Sequence, residues 1–102
     1  MIIVLTTVGK RSDANKIAKV LVTKKLAACV SIVKIEGSVY LWKGRITREP
    51  EYLLLIKTTK IQYSRLEASL KSMHPYELPE IIALPIVKGH KPYLDWICKA
   101  TA

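Results

Sequence analysis

The residues best suited to chemistry fall in one short stretch, Met73-His74-Pro75-Tyr76-Glu77-Leu78-Pro79-Glu80. An imidazole beside a rigid proline, followed by a phenol and a carboxylate, carries the groups for general acid–base work or for a borderline metal. Met73 adds a soft thioether, and the cysteines add thiols, of the kind that suits Cu(I). The same residues also have plainer uses. Met73 continues the apolar stripe of a preceding helix, and His74 is placed to interact with that helix's terminal carbonyls. No multi-ligand metal spacing accompanies them.

Other groups stand further off in the chain. Tyr40 and Trp42 are two apart on a strand, hence on one face. With Lys43 and Arg45 they could grip an anion, or simply pack the hairpin or a neighbouring subunit. Lys57 follows an apolar run. It reads equally as a lysine that binds an anion or has a shifted pKa, and as one snorkelling from a strand end. Gly9-Lys10-Arg11-Ser12 lacks the upstream glycine of a phosphate loop. His90 reads as a solvated turn residue. No Ser-His-Asp, Cys-His or paired-carboxylate arrangement follows from the spacing, so nothing demands an enzyme.

The elements that must position these groups are legible. Residues 2–7 are apolar or β-branched throughout and predict a strand buried on both faces. Ser12 and Asp13 are N-cap candidates for a helix with Ala14, Ile17, Ala18 and Leu21 on one face, and Lys24 and Lys25 suit its dipole end. Residues 28–42 and 45–58 read as a long hairpin turning at Lys43-Gly44, with a bulge at Glu36-Gly37. Its arms are long enough to project beyond a small core. Thr59 is placed to cap a second helix with the stripe Tyr63, Leu66, Leu70 and Met73, and Pro75 stops it. Residues 81–87 predict an edge strand, since Pro85 cannot donate to a ladder. Pro92 opens a terminal helix with Tyr93, Leu94, Ile97 and Cys98. The order is β-α-β-β-α-β with an additional C-terminal helix: an α+β, ferredoxin-like sandwich over residues 1–102 as one domain. Its strands 2–5, 53–56 and 81–87 are apolar on both faces, although helices cover only one face of such a sheet. The uncovered aliphatics predict a closed homo-oligomer packed through the open face.

Composition narrows the partners. The chain has 102 residues, 50% of them hydrophobic, and 17 Lys and Arg against 8 acids for a net charge of +9. The cations are dispersed, with no run of five and no RNA-binding signature, so a solvated basic surface is expected and no specific nucleic acid. No apolar run reaches the roughly 18 residues of a membrane span, and the first residues read as a strand instead of a signal peptide, which points to a cytoplasmic protein with no membrane partner. Cys29 and Cys98 are then free thiols, each expected to be a small core residue.

Four segments occur together in order: Leu26-Ala27-Ala28-Cys29-Val30, Ser38-Val39-Tyr40-Leu41-Trp42-Lys43-Gly44, Ile56-Lys57-Thr58 and His74-Pro75-Tyr76-Glu77-Leu78-Pro79-Glu80-Ile81. Over essentially the whole chain they closely resemble the CutA family of divalent-cation tolerance proteins. The resemblance implies a tight homotrimer like that of the PII signalling proteins, tolerance of copper and other divalent ions, copper binding in some members, and no established reaction. It also implies a ligand cleft between subunits, matched here by Tyr40, Trp42, Lys57, Tyr76 and Glu77. Some bacterial members take metal on a first-strand cysteine and two consecutive histidines. Those positions are Thr6, Met73 and His74 in this chain, leaving His74 and Met73 as the metal candidates. The expected function is a divalent metal ion tolerance protein that binds a metal ion or small ligand near subunit boundaries. The alternative is a PII-like regulatory module that binds an anionic metabolite through Lys57 and signals to a partner.

Overall fold

The computed structural model describes residues 1–102. Strand β1 (Ile2–Val8), helix α1 (Arg11–Thr23), strands β2 (Cys29–Trp42) and β3 (Arg45–Thr58), helix α2 (Tyr63–Met73), strand β4 (Ile82–Pro85) and helix α3 (Lys91–Ala100) follow in that order. A 3-10 turn at Lys60–Gln62 leads into α2. The strands form one antiparallel sheet in the order β2-β3-β1-β4. This is the expected ferredoxin-like arrangement, with β1 and β3 central and β4 at an edge.

Strand alternation sorts the central residues onto two faces. Val4, Thr6 and Val8 of β1 and Leu54, Ile56 and Thr58 of β3 are buried on one face. They meet Ala14, Ile17 and Leu21 of α1 and Leu66 and Leu70 of α2, which form the core. The other face carries Ile3 and Leu5, Leu53 and Leu55, Ile82 and Leu84. The last two remain 49% and 48% exposed, so an aliphatic surface lies open in the single chain.

The hairpin of β2 and β3 is long and has two special points. At its tip, Lys43 and Gly44 have φ of 51° and 78°, the positive values that a two-residue type I′ turn requires at both positions. Lower down, pairing shifts between Ile35, opposite Glu51, and Ser38, opposite Glu49. Glu36 and Gly37 together face Pro50, a bulge placed where proline has no N–H to give. Gly37 is needed there, because a Cβ would stand 2.8 Å from the Glu49 carbonyl oxygen.

Three expectations are corrected. Helix α1 starts at Arg11 with Lys10 at the N-cap, so Ser12 and Asp13 lie inside the first turn and Asp13 complements the helix dipole without capping. The last strand spans only 82–85, because β1 offers partners only from Ile2 to Leu5 there. Cys98 is exposed and Cys29 half-buried. On α3 it is Ile97, one position round the helix, that takes the buried place. Thr59 does stand at the N-cap of the turn leading into α2, but without a side-chain capping bond.

Lys24 and Lys25 lie just past the end of α1. Lys25 adopts φ 59°, and the amides of Leu26 and Lys25 donate to Leu21 and Val22 carbonyls. These two bonds define a Schellman cap, with buried Leu26 packing back toward Leu21. Glycine is the usual residue at this left-handed position, and an L-residue costs about 1–2 kcal/mol there. Lys25→Gly is therefore expected to stabilise the fold by about 1 kcal/mol. Chemical denaturation at fixed protein concentration measures it, with a higher midpoint and unchanged slope as the expected result.

Candidate functional site

The loop 74–80 is anchored by one imidazole. Helix α2 ends at Met73, and His74 turns extended (ψ 132°) ahead of Pro75 while its N–H closes the helix on Leu70. The Tyr76 N–H donates to His74 Nδ1 at 3.1 Å, so that nitrogen carries the lone pair. The proton is then on Nε2, 3.0 Å from Thr6 Oγ1, and donates to it. Thr6 is fully buried on the helix-facing side of β1 and needs a partner for its hydroxyl. Burial pushes His74 below the ordinary imidazole pKa, outweighing the Thr7 backbone and the Asp13 and Glu51 carboxylates, which act the other way.

Tyr76 carries the chain of contacts across the end of the sheet. Its ring meets His74 edge-on at 5.0 Å between centroids. Its hydroxyl passes Gly9, where a Cβ would lie 3.4 Å away, and donates to Glu51 Oε2 at 2.6 Å. Burial first, and then this bond to a carboxylate, hold the Tyr76 phenol well above its ordinary pKa. Glu51 itself is only 4% exposed.

Beside this relay lies a cleft of about 590 Å³, walled by Thr7, Ser38, Val39, Tyr40, Trp42, Glu49, Glu51, Pro75, Tyr76, Glu77, Leu78 and Glu80. The bulge decides which hairpin residues enter it. Before the bulge the odd positions of β2, Val33 and Ile35, share a face with Leu53 and Glu51. After it Ser38, Tyr40 and Trp42 take that face, in phase with Glu49 and Glu51. Without the extra residue, Val39 and Leu41 would point there instead.

Of the expected cleft residues, Tyr40, Trp42, Tyr76 and Glu77 come together and Lys57 does not. Lys57 sits at the far end of β3, about 20 Å from Glu51 at ~3.3 Å per residue. It donates to Ser31 Oγ at 2.9 Å on the open face. Sequence reasoning missed Glu49 and Glu51, and gave Glu80 no role beyond closing the loop. One signal was available: Glu51 continues the open-face series of Leu53 and Leu55, an acid in phase with half-buried aliphatics.

The charge of the cleft is unexpected. Four of the chain's 8 acids, Glu49, Glu51, Glu77 and Glu80, line it, although the net charge is +9. The residues at the expected copper position do not fit that ion. Both His74 nitrogens are engaged, Met73 packs against the core, and Thr6 offers a hydroxyl already used by His74. No three His, Cys, Asp or Glu side chains converge as metal ligands anywhere in the chain.

Fold and cleft together define a class: a small ferredoxin-like protein with an acidic, aromatic-lined cleft at one end of its sheet. A family model described as CutA1 divalent ion tolerance protein matches residues 2–100, and the chain belongs to that family. The divalent-cation tolerance protein CutA of Thermus thermophilus is 46% identical over 99 residues, covering 97% of this chain and 96% of that protein. A solved Thermus thermophilus structure superposes with TM-score 0.95 at 46% identity, covering 100% of both chains. The Archaeoglobus fulgidus structure, titled a periplasmic divalent cation tolerance protein, gives 0.96 at 37% identity, again over 100% of both. The chloroplastic CutA of Arabidopsis thaliana is 42% identical over 100 residues, 98% of this chain but 55% of that longer protein. The chain thus spans about half the length of several relatives and nearly all of the Thermus protein.

Two outcomes follow from the relay. Tyr76→Phe removes a charge-assisted bond to a buried carboxylate and is expected to cost about 1.5–3 kcal/mol in denaturant titrations. Acid titration reports on His74. Its folded pKa lies below the unfolded value of 6.5, so the neutral ring stabilises the fold above that pH. That contribution is lost as pH falls through 6.5 toward the folded pKa, where the unfolded chain alone takes up the proton. Comparing unfolding free energies of wild type and His74→Gln from pH 7.5 to 5 is expected to show a steeper loss in wild type.

Proposed function

We propose that this chain is a one-domain subunit of a homotrimeric divalent-cation tolerance protein, with a cation held in the 38–51/75–80 cleft near a subunit boundary. The observation that carries this reading is the gathering of half the chain's acids around one aromatic-lined cleft in a protein of net charge +9. Carboxylates favour a cationic occupant, and an anionic metabolite would meet repulsion there. Glutamate oxygens are hard donors, so a hard cation or a cationic nitrogen suits them better than Cu(I). Copper at His74 would have to displace two hydrogen bonds and orphan the buried Thr6 hydroxyl.

Trimer formation is supported by the open aliphatic face. Ile3, Leu5, Leu53, Leu55, Ile82 and Leu84 would each gain roughly 1.5–3 kcal/mol on full burial. A symmetric closed assembly buries such a face on every subunit. The free thiols suit a reducing cytoplasm. No helix is long and apolar enough to cross a membrane. No reaction is assigned to the cleft.

Two measurements test the proposal. Light scattering is expected to give the mass of three chains, and Leu53→Glu, which sets a charge in the open face, is expected to give one. A thermal-shift panel of divalent salts, organic cations and nucleotides is expected to yield a stabilising cation and no stabilising nucleotide. A nucleotide that stabilises while every cation fails would reverse the sign of the proposed ligand. Within the same panel, His74→Ala is expected to leave any copper shift unchanged.

A further inference from the structure

Glu51 is the one buried acid in the chain, 4% exposed, and it has no counter-cation. The only ion pairs are Arg48 with Glu36 and Lys91 with Asp95, both on the surface. Glu51 Oε2 accepts from the Tyr76 hydroxyl, while Oε1 accepts nothing from the protein. Nor is Oε1 sealed off, because the sole side-chain oxygen or nitrogen both buried and unpartnered is Gln62 Oε1. Glu51 is among the residues lining the cleft. Buried carboxylates are ordinarily paired with a cation, since desolvation of a lone charge is costly. Any cationic partner for Glu51 has to come from outside the chain.

Its chemistry can be read from the surroundings. A chelated metal ion needs several converging ligands, and no three His, Cys, Asp or Glu side chains converge. The cleft, about 590 Å³, is of the size that takes a small molecule. Tyr40 and Trp42, 41% and 37% exposed, share the cleft-facing side of β2 with Ser38. Aromatic faces attract ammonium groups and pack against the methylenes that carry them. Glu49, Glu77 and Glu80 line the same cleft with exposed side chains, offering a second site of negative charge beyond Glu51.

We propose that the cleft binds an aliphatic polyamine: one ammonium on Glu51 Oε1, the hydrocarbon chain along Tyr40 and Trp42, and a further ammonium among Glu49, Glu77 and Glu80. This rests on the reading of the cleft as a cation site and names the cation's class. Long-range attraction does not account for such binding, because the whole chain is positively charged and repels polyamines. Any affinity has to arise in the cleft.

Isothermal titration of the full chain with spermidine, putrescine, n-butylamine and magnesium, zinc or copper chloride tests the proposal. Spermidine is expected to bind more tightly than putrescine, and n-butylamine most weakly. Glu51→Gln is expected to weaken spermidine at least tenfold, and Trp42→Ala severalfold. Undiminished spermidine binding in both variants overturns the proposal. A metal ion that binds and is lost in Glu51→Gln, with no spermidine binding, overturns the polyamine and leaves the cation cleft standing. Silence from every cation removes both. Should Glu51→Gln dissociate the assembly or fail to fold, exposed Trp42 carries the test, and unchanged spermidine affinity in Trp42→Ala overturns the proposal.

Discussion

The arrangement of the cleft depends on the tautomer of His74. Thr6 is buried in a central strand and its hydroxyl has to be satisfied. The imidazole does this through Nε2 and uses Nδ1 to hold the Tyr76 amide. Only the neutral ring with its proton on Nε2 makes both bonds. Fixing the Tyr76 backbone aims its phenol across Gly9 at Glu51. A hydroxyl in the core thereby positions a carboxylate on the opposite side of the sheet. Because the imidazole is consumed in this role, it is not free for the metal chemistry that its residue type suggests.

The hairpin supplies the other wall by a different device. A strand alternates strictly, so one inserted residue exchanges its two faces. Glu36 and Gly37 make that insertion opposite Pro50. The effect is to put the aromatic pair Tyr40 and Trp42 on the same face as Glu49 and Glu51, and Leu41 on the other. Val39 and Leu41 are 65% and 69% exposed, and with Ile46 at 81% they leave an apolar strip on the projecting arm. The bulge thus separates two surfaces along one ribbon: a polar aromatic face and an aliphatic face.

Much of this was legible in the residues because local rules dominated. Gly44 after Lys43 specified the turn, Gly37 the bulge, Pro75 the helix end and Pro85 an edge strand, and each stands where its backbone chemistry requires. The apolar character of β1, β3 and β4 on both faces likewise revealed the open surface. The cleft was less legible because it is non-local. Tyr76 and Glu51 are 25 positions apart, and only the loop's passage over Gly9 joins them. Lys57 is likewise non-local: within one chain it stands at the other end of its strand from this cleft. Cys98 looked apolar enough for the core, yet α3 has room to bury only Ile97.

Charge placement explains how such a protein can be selective. At physiological ionic strength fields between exposed charges decay over roughly 8 Å, so the dispersed lysines act mainly as a general basic surface. The cleft works at shorter range. There Glu51 is shielded from water on most sides, and an interaction with a matched cation is strengthened by the lower local dielectric. The exposed acids around it contribute less each, as solvated groups do. A ligand carrying a single hard charge gains from Glu51 but forgoes the aromatic wall. One that is purely apolar leaves the carboxylate unpaired. For the proposed polyamine, the cationic donor and the apolar stem match floor and wall together, and discrimination would rest on the cost of leaving either unmatched.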